Sequence, residues 1–187
     1  MSARIIRADA CTPVPWKNGQ GLTREIARHP SAADGEHFLW RVSVAEVNSA
    51  APFSAFPGID RHIALLDGAG FTMTLDDRHQ HALCTPFKPF AFPGEAQVTV
   101  TLANGPTRDF NLMTRRDHGR GEITAWATPG DYRVEKGIVL IYCARGSFDT
   151  HDGALHTGDA WLFPPAATIV LPDGAAALAV WIEGATA

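Results

Sequence analysis

A chain of 187 residues fits one large domain, or two small ones that share a core. Its 45% of apolar residues allow a substantial core, which excludes a disordered protein. The net charge of −4 argues against a nucleic-acid partner, because phosphate binding needs a basic surface. No apolar run approaches the roughly 18 to 20 residues of a membrane helix, and residues 1–14 lack the apolar stretch of a signal peptide. We therefore expect a cytoplasmic protein without a membrane partner. Three cysteines without paired spacing indicate neither a disulfide framework nor a zinc site.

Short β-strands follow one another along the chain, and helical periodicity is nearly absent. Residues 39–47, LWRVSVAEV, alternate strictly, with Trp40 and Val42 on one face and Arg41 and Ser43 on the other. Strand-like runs separated by turn residues recur at residues 62–77, 90–102, 137–150, 159–172 and 177–183. Many short strands with 17 glycines and 13 prolines predict an antiparallel sandwich or barrel.

The sequence also contains an internal repeat. Residues 63–73 align with residues 140–150, since each stretch is an apolar strand followed by a small-residue and glycine turn and a phenylalanine. Residues 90–102 align with residues 161–173, where an aromatic–Phe–Pro corner precedes a Val/Ile/Thr-rich strand. These turns resemble those of the cupin barrel. We predict an all-β bicupin, with two cupin-like antiparallel β-barrels or jelly rolls in one chain; the alternative is a chance similarity between two β-rich stretches.

The predicted organisation is a single bicupin unit over residues 1–187. An N-terminal arm and its strands take up residues 1–35. The first cupin half then covers residues 36–116, and the second covers residues 117–187.

A metal centre is not expected in either half. Metal-binding cupins carry His-x-His and a glutamate on the strand before the first glycine turn, whereas His62 stands alone on that strand here. His79 and His81 form His-x-His beyond the turn, in a polar stretch that reads as a hairpin tip. Because a metal ion needs three or four converging ligands, we predict neither a metal nor another cofactor.

Arginines in structured segments are the candidates for binding a charged ligand. Alternate positions of a barrel strand face the lumen, and a planar guanidinium binds a carboxylate through two parallel hydrogen bonds. We therefore predict a pocket for a small organic acid. The residues assigned to it on this basis are Arg24, Glu25, Arg41, Ser43, Asp60, Arg61, Asn111 and Arg115. The alternative is that these arginines face solvent or form structural ion pairs with Glu25, Asp60 and Asp109.

Four ordered segments resemble the HutD/Ves family over nearly the whole chain. They are PWKNGQGLTREI (15–26), LWRVSVAEV (39–47), PFSAFPGIDR (52–61) and GPTRDFNLMTRR (105–116). The resemblance implies a cytoplasmic bacterial bicupin that regulates histidine utilisation by binding urocanate or N-formylglutamate, without an established enzymatic activity. The name Ves refers to induction by environmental stress. One departure is Gln20, where the family often has glycine.

With this resemblance, the segment 15–26 acquires an expected role at the mouth of the pocket. Trp16 would close one wall, and Lys17 and Asn18 would present a cation and an amide to the acid. The plane of urocanate can stack on Trp16 or Phe53, whereas N-formylglutamate would need two of the four arginines. The expected partner is thus a small carboxylated metabolite.

Two other classes of function are left open by the sequence. One is a metal-independent enzyme, an isomerase, lyase or hydrolase acting on a small organic acid, with Lys17, Glu25 or His62 as general acid or base. No nucleophile and base at a recognisable spacing support it, so no catalytic residue is predicted. The other is a structural or interaction role, including a homodimer formed through edge strands.

Overall fold

The chain is all-β in the computed structural model, which describes residues 2–16, 19–29, 38–50 and 52–184. Within these ranges the only helix is a single 3-10 turn, Ala8–Ala10. In the same residues we find no helix with the length and apolar character needed to cross a bilayer. The strand content confirms the predicted all-β class.

Ten of the strands precede residue 116. They are β1 (Arg4–Ile6), β2 (Pro13–Pro15), β3 (Gly21–His29), β4 (Trp40–Val47), β5 (Ile59–Asp67), β6 (Phe71–Leu75), β7 (His79–Leu83), β8 (Phe90–Pro93), β9 (Val98–Leu102) and β10 (Thr107–Arg115). The predicted strands at 39–47, 62–77 and 90–102 are all present, although β8 and β9 pair in different sheets.

Eight strands follow in the remainder of the chain. They are β11 (Arg120–Trp126), β12 (Gly130–Val134), β13 (Ile138–Arg145), β14 (Ser147–Thr150), β15 (Gly153–His156), β16 (Ala160–Leu162), β17 (Ala167–Leu171) and β18 (Ala176–Glu183).

Two large antiparallel sheets organise these strands into two halves. The first half consists of a six-stranded sheet, β2-β3-β4-β10-β5-β8, and a three-stranded sheet, β7-β6-β9. The second half consists of a five-stranded sheet, β1-β16-β13-β18-β11, and the pairs β12-β17 and β14-β15. Strand β1 comes first in the sequence, yet it pairs with β16 and so belongs to the second half.

The two large sheets share one hydrophobic core. Strand alternation turns every second side chain of a strand to the same face, and on β4 these are Trp40, Val42 and Val44. They pack with Leu178 and Val180 of β18 in a common cluster of buried residues. The face of the six-stranded sheet that carries Arg41 and Ser43 consequently points the other way, into the first half.

Each half also has an interior of its own. In the second half it is filled by apolar side chains, among them Trp161, Ile141 and Phe148. In the first half, residues such as Ile63 and Phe71 form a comparable cluster, but part of the interior is an open cavity.

Asp159 ties the N-terminal strand to the second half. It is 5% exposed, and its carboxylate accepts hydrogen bonds from the backbone N–H groups of Ala8 and His156, at 3.0 and 3.1 Å, and from Arg7 at 2.6 Å. Burial raises the pKa of Asp159, but these hydrogen bonds outweigh burial and lower it below its ordinary value. The carboxylate is therefore the charged form at neutral pH.

The expectation that His79 and His81 lie at a hairpin tip is wrong. The turn is formed by residues 76–78, and both histidines belong to strand β7. His81 stacks on Phe90, with 3.6 Å between the ring centroids.

The shared core predicts strong coupling between the halves. Leu112 of β10 is fully buried in it, and truncation of a buried leucine to alanine costs about 2–5 kcal/mol. We expect Leu112→Ala to lower the free energy of unfolding by about this amount, with one cooperative transition in urea. Val14→Ala, at a position that is 62% exposed, is the control and should change it by about 0.5 kcal/mol or less. Two separate unfolding transitions would contradict a common core.

Candidate functional site

The candidate site is a cavity of about 470 Å³ inside the first half. Six of the residues predicted from the sequence line it: Trp16, Arg41, Ser43, Phe53, Arg61 and Asn111. A depression of about 500 Å³ on the second half is lined by exposed polar residues such as Asp149 and His151 and by core residues such as Phe148 and Trp161. Of the two, the first-half cavity has buried charged side chains, Arg61 and Asp109, among its described lining residues, which makes it the stronger candidate.

Strand register explains why these side chains meet. Met113 of the central strand β10 lies opposite Arg41 of β4 on one side and Arg61 of β5 on the other. The two arginines are therefore two strand spacings apart, roughly 10 Å at the backbone. Asn111 lies in the next row of the same face, opposite Ser43. All five positions point into the first half because they share the parity opposite to the core-facing residues.

Arg61 is the most buried cation of the site. It is 6% exposed, and its guanidinium carbon lies 5.3, 5.5 and 4.9 Å from the ring centroids of Phe53, Phe56 and Phe92. Burial lowers the pKa of Arg61 to about 10, so the group is still a cation at neutral pH. Its Nε is buried and has no hydrogen-bond partner among the described residues, so one donor of the guanidinium is unsatisfied.

Asn111 links Arg61 to a buried carboxyl group, Asp109. Arg61 Nη2 donates to Asn111 Oδ1 at 3.2 Å, and Asn111 Nδ2 donates to Asp109 Oδ1. This amide orientation is the one that chemistry requires, because a guanidinium has only donors and must face the amide oxygen. The amide of Asn111 thus connects the guanidinium of Arg61 to the carboxyl group of Asp109 through two hydrogen bonds.

Asp109 is the functional candidate that the sequence analysis did not assign to the pocket. It lines the cavity and is 1% exposed, and no described residue forms a hydrogen bond with its Oδ2. Burial raises the pKa of Asp109 to about 7, although Asn111 and Arg61 act in the opposite direction. In the sequence, the alternation of Asp109 with Asn111 and Met113 indicates that the three residues share one face of a strand. An arginine directly precedes Asp109, however, so the aspartate also fits a structural ion pair.

Arg41 is partly neutralised by Glu25. Arg41 Nε donates to Glu25 Oε2 at 2.7 Å, and Arg28 donates to the same carboxylate. Burial alone would raise the pKa of Glu25, but the hydrogen bonds from both arginines outweigh burial, and the pKa lies below its ordinary value. Glu25 itself is not among the cavity-lining residues, so it supports Arg41 from outside.

Trp16 forms a wall of the cavity, next to the turn that leads into β3. Its indole Nε1 donates to Thr23 Oγ1 at 2.8 Å, and its ring packs on the first-half core. A Cβ on Gly21 would lie 3.0 Å from the ring and 2.5 Å from Glu46 O, so the close approach requires glycine. Gly19 has φ +70°, which supplies the turn conformation despite Gln20. The other two residues assigned to this turn, Lys17 and Asn18, lie outside the described residues.

Three further residues assigned to the pocket lie elsewhere. Arg24 follows Thr23 on β3 and faces the opposite side, where it pairs with Glu46 at 3.2 Å. Asp60 precedes Arg61 and pairs with Arg116 at 2.7 Å. Arg115 has the parity of Met113 but sits at the end of β10, where its Nε donates to the backbone oxygen of Phe38 at 3.2 Å. The expected convergence of four arginines therefore holds for Arg41 and Arg61 alone.

The described residues in the interior of the first half do not form a set of metal ligands. The inward positions of β5 are Arg61, Ile63 and Leu65, and a guanidinium keeps its proton and does not bind metal ions. His62 lies between them and so points to the opposite face. Among the described residues, no group of three or more His, Cys, Asp or Glu side chains is placed to hold a metal ion.

Comparison with protein families and relatives gives consistent matches. The family model for HutD matches residues 8–179. A 21.2 kDa protein in the hutC 3′ region of Pseudomonas putida is 41% identical over 141 residues, 75% of this chain and 73% of that protein. Protein Ves of Cronobacter sakazakii is 39% identical over 142 residues, 75% of each chain.

Solved structures give the same result at the level of the fold. HutD from Pseudomonas fluorescens SBW25, solved in a formate condition, has a TM-score of 0.82 at 28% identity and covers 98% of this chain and 100% of its own. A cupin 2 conserved barrel domain protein from Leptotrichia buccalis has a TM-score of 0.58 at 7% identity, covering 91% of this chain and 92% of its own. The second likeness concerns the fold alone and identifies it as the cupin fold.

The raised pKa of Asp109 has a measurable consequence for stability. In an unfolded chain this carboxyl has a pKa near 3.9, so between about pH 4 and 7 the folded state holds the proton that the unfolded state has lost. Stability from this group therefore falls as the pH rises through that window. We expect Asp109→Asn to raise Tm at pH 8 by at least about 2–4 °C, the equivalent of about 1 kcal/mol, and by less at pH 4.

Differential scanning calorimetry at the two pH values checks this expectation. Asp60→Asn is the matched control, because Asp60 forms an ion pair at the surface and its neutralisation should give no such gain at pH 8. Equal Tm changes for Asp109→Asn at pH 4 and pH 8 would show that this carboxyl titrates normally.

Proposed function

Because the chain belongs to the HutD family, we propose that it is a non-enzymatic, small-molecule-binding regulator of histidine utilisation. Its ligand is a carboxylated intermediate, urocanate or N-formylglutamate, held in the cavity of the first half. The association with histidine utilisation has support from the relative in the hutC 3′ region of Pseudomonas putida. The regulator would act in the cytoplasm.

The unsatisfied guanidinium of Arg61 is the observation that carries this proposal. A buried donor without a partner costs free energy, and a carboxylate that accepts from it would recover that cost. Charge-assisted hydrogen bonds in a buried site are also stronger than those in water. Three phenylalanine rings surround Arg61, so the guanidinium is the polar group of an otherwise aromatic part of the cavity wall.

The remaining walls suit the two candidate ligands in different ways. Trp16 and Phe53 offer aromatic faces on which a flat imidazole–acrylate can stack. Arg41 lies two strand spacings from Arg61, so the two carboxylates of N-formylglutamate can each meet a cation. Formate is the smallest carboxylate, and the HutD of Pseudomonas fluorescens was solved in a formate condition, which makes formate a useful minimal probe.

The alternative of a metal-independent enzyme has less support from the placement of its candidate residues. Glu25 is held by Arg28 and Arg41 outside the cavity, and His62 occupies a position of the opposite parity to Arg61. Lys17 lies outside the described residues. A turnover assay on the same compounds separates this alternative from binding alone.

A homodimer through edge strands likewise stays a prediction, which sedimentation of the free protein tests.

Removal of the Arg61 charge provides the central test. We expect Arg61→Met, which keeps the side-chain volume, to weaken binding of N-formylglutamate, urocanate and formate at least about 30-fold, since losing one partner of a buried charge pair costs about 2 kcal/mol or more. Calorimetric titration measures this change. The matched control is Arg24→Met, on the other face of β3, which should bind normally. Unchanged affinity in a folded Arg61→Met protein would reject this site.

Binding should also be independent of metal ions. We expect the Kd for N-formylglutamate to be the same before and after dialysis against EDTA, because a guanidinium rather than a metal ion binds the carboxylate. The measurement is calorimetric titration, with metal content determined by elemental analysis. Loss of binding on chelation, and its return with a specific divalent ion, would overturn the proposed mode of binding.

A further inference from the structure

The carboxyl group of Asp109 is oriented by its neighbours in a way that assigns its two oxygens different roles. Arg61 fixes the amide oxygen of Asn111 toward itself, so the amide NH₂ must face Asp109. Oδ1 of Asp109 accepts from this NH₂, and a proton on the carboxyl group would therefore reside on Oδ2. Oδ2 belongs to a cavity-lining residue that is 1% exposed, and it has no hydrogen-bond partner in the part of the chain that the structure describes.

The charges that face Asp109 come from two neighbouring strands. Arg61 on β5 and Arg41 on β4 are the other charged side chains that line the cavity in the described part of the chain, and Glu25 lies behind Arg41 and pairs with it. The segment before β5 and the turn before β3 contribute aromatic rings, such as Phe53 and Trp16. On β10 itself the neighbours are Asn111 and Met113, which are uncharged.

An ionised Asp109 would work against an acid ligand in two ways. Its negative charge would neutralise part of the field of Arg61, and it would repel a carboxylate bound a few ångströms away. Its Oδ2 could then only accept a hydrogen bond, and a carboxylate ligand has none to donate. The neutral form removes the repulsion and provides a donor.

We propose that Asp109 is a ligand-binding residue that takes part only in its neutral form, with the Oδ2–H group donating a hydrogen bond to the bound acid. This inference rests on the proposed function, since it concerns the same cavity and the same class of ligand. Above neutral pH the only covalent bond that forms is the Oδ2–H bond, and its proton comes from water or from the buffer acid, which is left as the conjugate base. The cavity is thus a proton-coupled site for small carboxylates, in which Arg61 supplies the charge and Asp109 the proton.

The coupling falls in the physiological range. Burial raises the pKa of Asp109 to about 7. In the free protein this carboxyl group therefore changes from mostly neutral to mostly ionised as the pH rises through neutrality. Above neutral pH, the binding of each ligand molecule is therefore accompanied by the uptake of one proton by Asp109. The Kd should then rise about tenfold per pH unit, from about pH 7 upward, and should level off below about pH 6.

Titration calorimetry of the full chain at pH 6, 8 and 9, with formate and with N-formyl-L-glutamate, tests this coupling. The carboxyl groups of both probes have pKa values near 4 and do not titrate in this range. Each titration at pH 8 is carried out in phosphate and in Tris, whose ionisation enthalpies differ, so that proton uptake is counted directly. We expect about one proton taken up per ligand and a Kd about tenfold higher at pH 9 than at pH 8.

Asp109→Asn gives the decisive comparison. Asparagine keeps an oxygen for the amide of Asn111 and presents a permanent N–H donor at the position of Oδ2–H, so it reproduces the neutral acid. We expect this variant to bind both probes with a Kd that is independent of pH and, at pH 9, well below that of the wild type. Asp60→Asn is the control, because Asp60 pairs with Arg116 outside the cavity, and it should keep the pH dependence of the wild type.

The possible failures are distinguishable. Binding with a constant Kd and no proton uptake would overturn the role of Asp109 and leave the proposed function intact, as would pH dependence that survives in Asp109→Asn. Absence of binding by the wild type and by Asp109→Asn at every pH would overturn both. An independent readout is the carboxyl ¹³C resonance of Asp109, which should titrate near pH 7 in the free protein and at higher pH with saturating formate.

Discussion

Strand alternation in the six-stranded sheet of the first half is the constraint on which the other features depend. One face of this sheet packs on the five-stranded sheet in the common core, where Trp40 and Leu112 lie. The opposite face is then forced into the first half, and it carries Arg41, Arg61 and Asn111. Each strand therefore serves stability with every second residue and the site with the residues in between. A shift of register by one residue would exchange the two sets.

The burial of charge in this cavity is costly and is only partly compensated within the protein. Arg61 and Asp109 are almost fully buried, yet each has a polar atom that no described residue satisfies, whereas most buried polar groups in proteins are satisfied. A sequence selected for stability alone would replace such a pair by apolar residues. Perturbed groups with open hydrogen-bonding capacity in a cavity are typical of binding sites.

The two halves share a repeated pattern and differ in what they enclose. Gly70 and Gly146, which occupy matching places in the repeat, both adopt positive φ, at +79° and +73°. The second half, however, fills its interior with side chains such as Trp161 and Phe148. Its large sheet provides the apolar surface on which the half with the cavity packs.

The sequence by itself determined the all-β class, most of the strands, the family, and which residues of a strand share a face, because these depend on local periodicity and turn chemistry. It thereby grouped Arg41 with Ser43 and placed Asn111 near the pocket. Only the tertiary structure decided which face is enclosed and where along each strand the cavity ends. For that reason Arg24 lies on the outer side and Arg115 beyond the cavity, and Asp109, which fits an ion pair in sequence, instead reaches Arg61 through Asn111. Burial and convergence depend on how distant strands pair, and no local pattern encodes them.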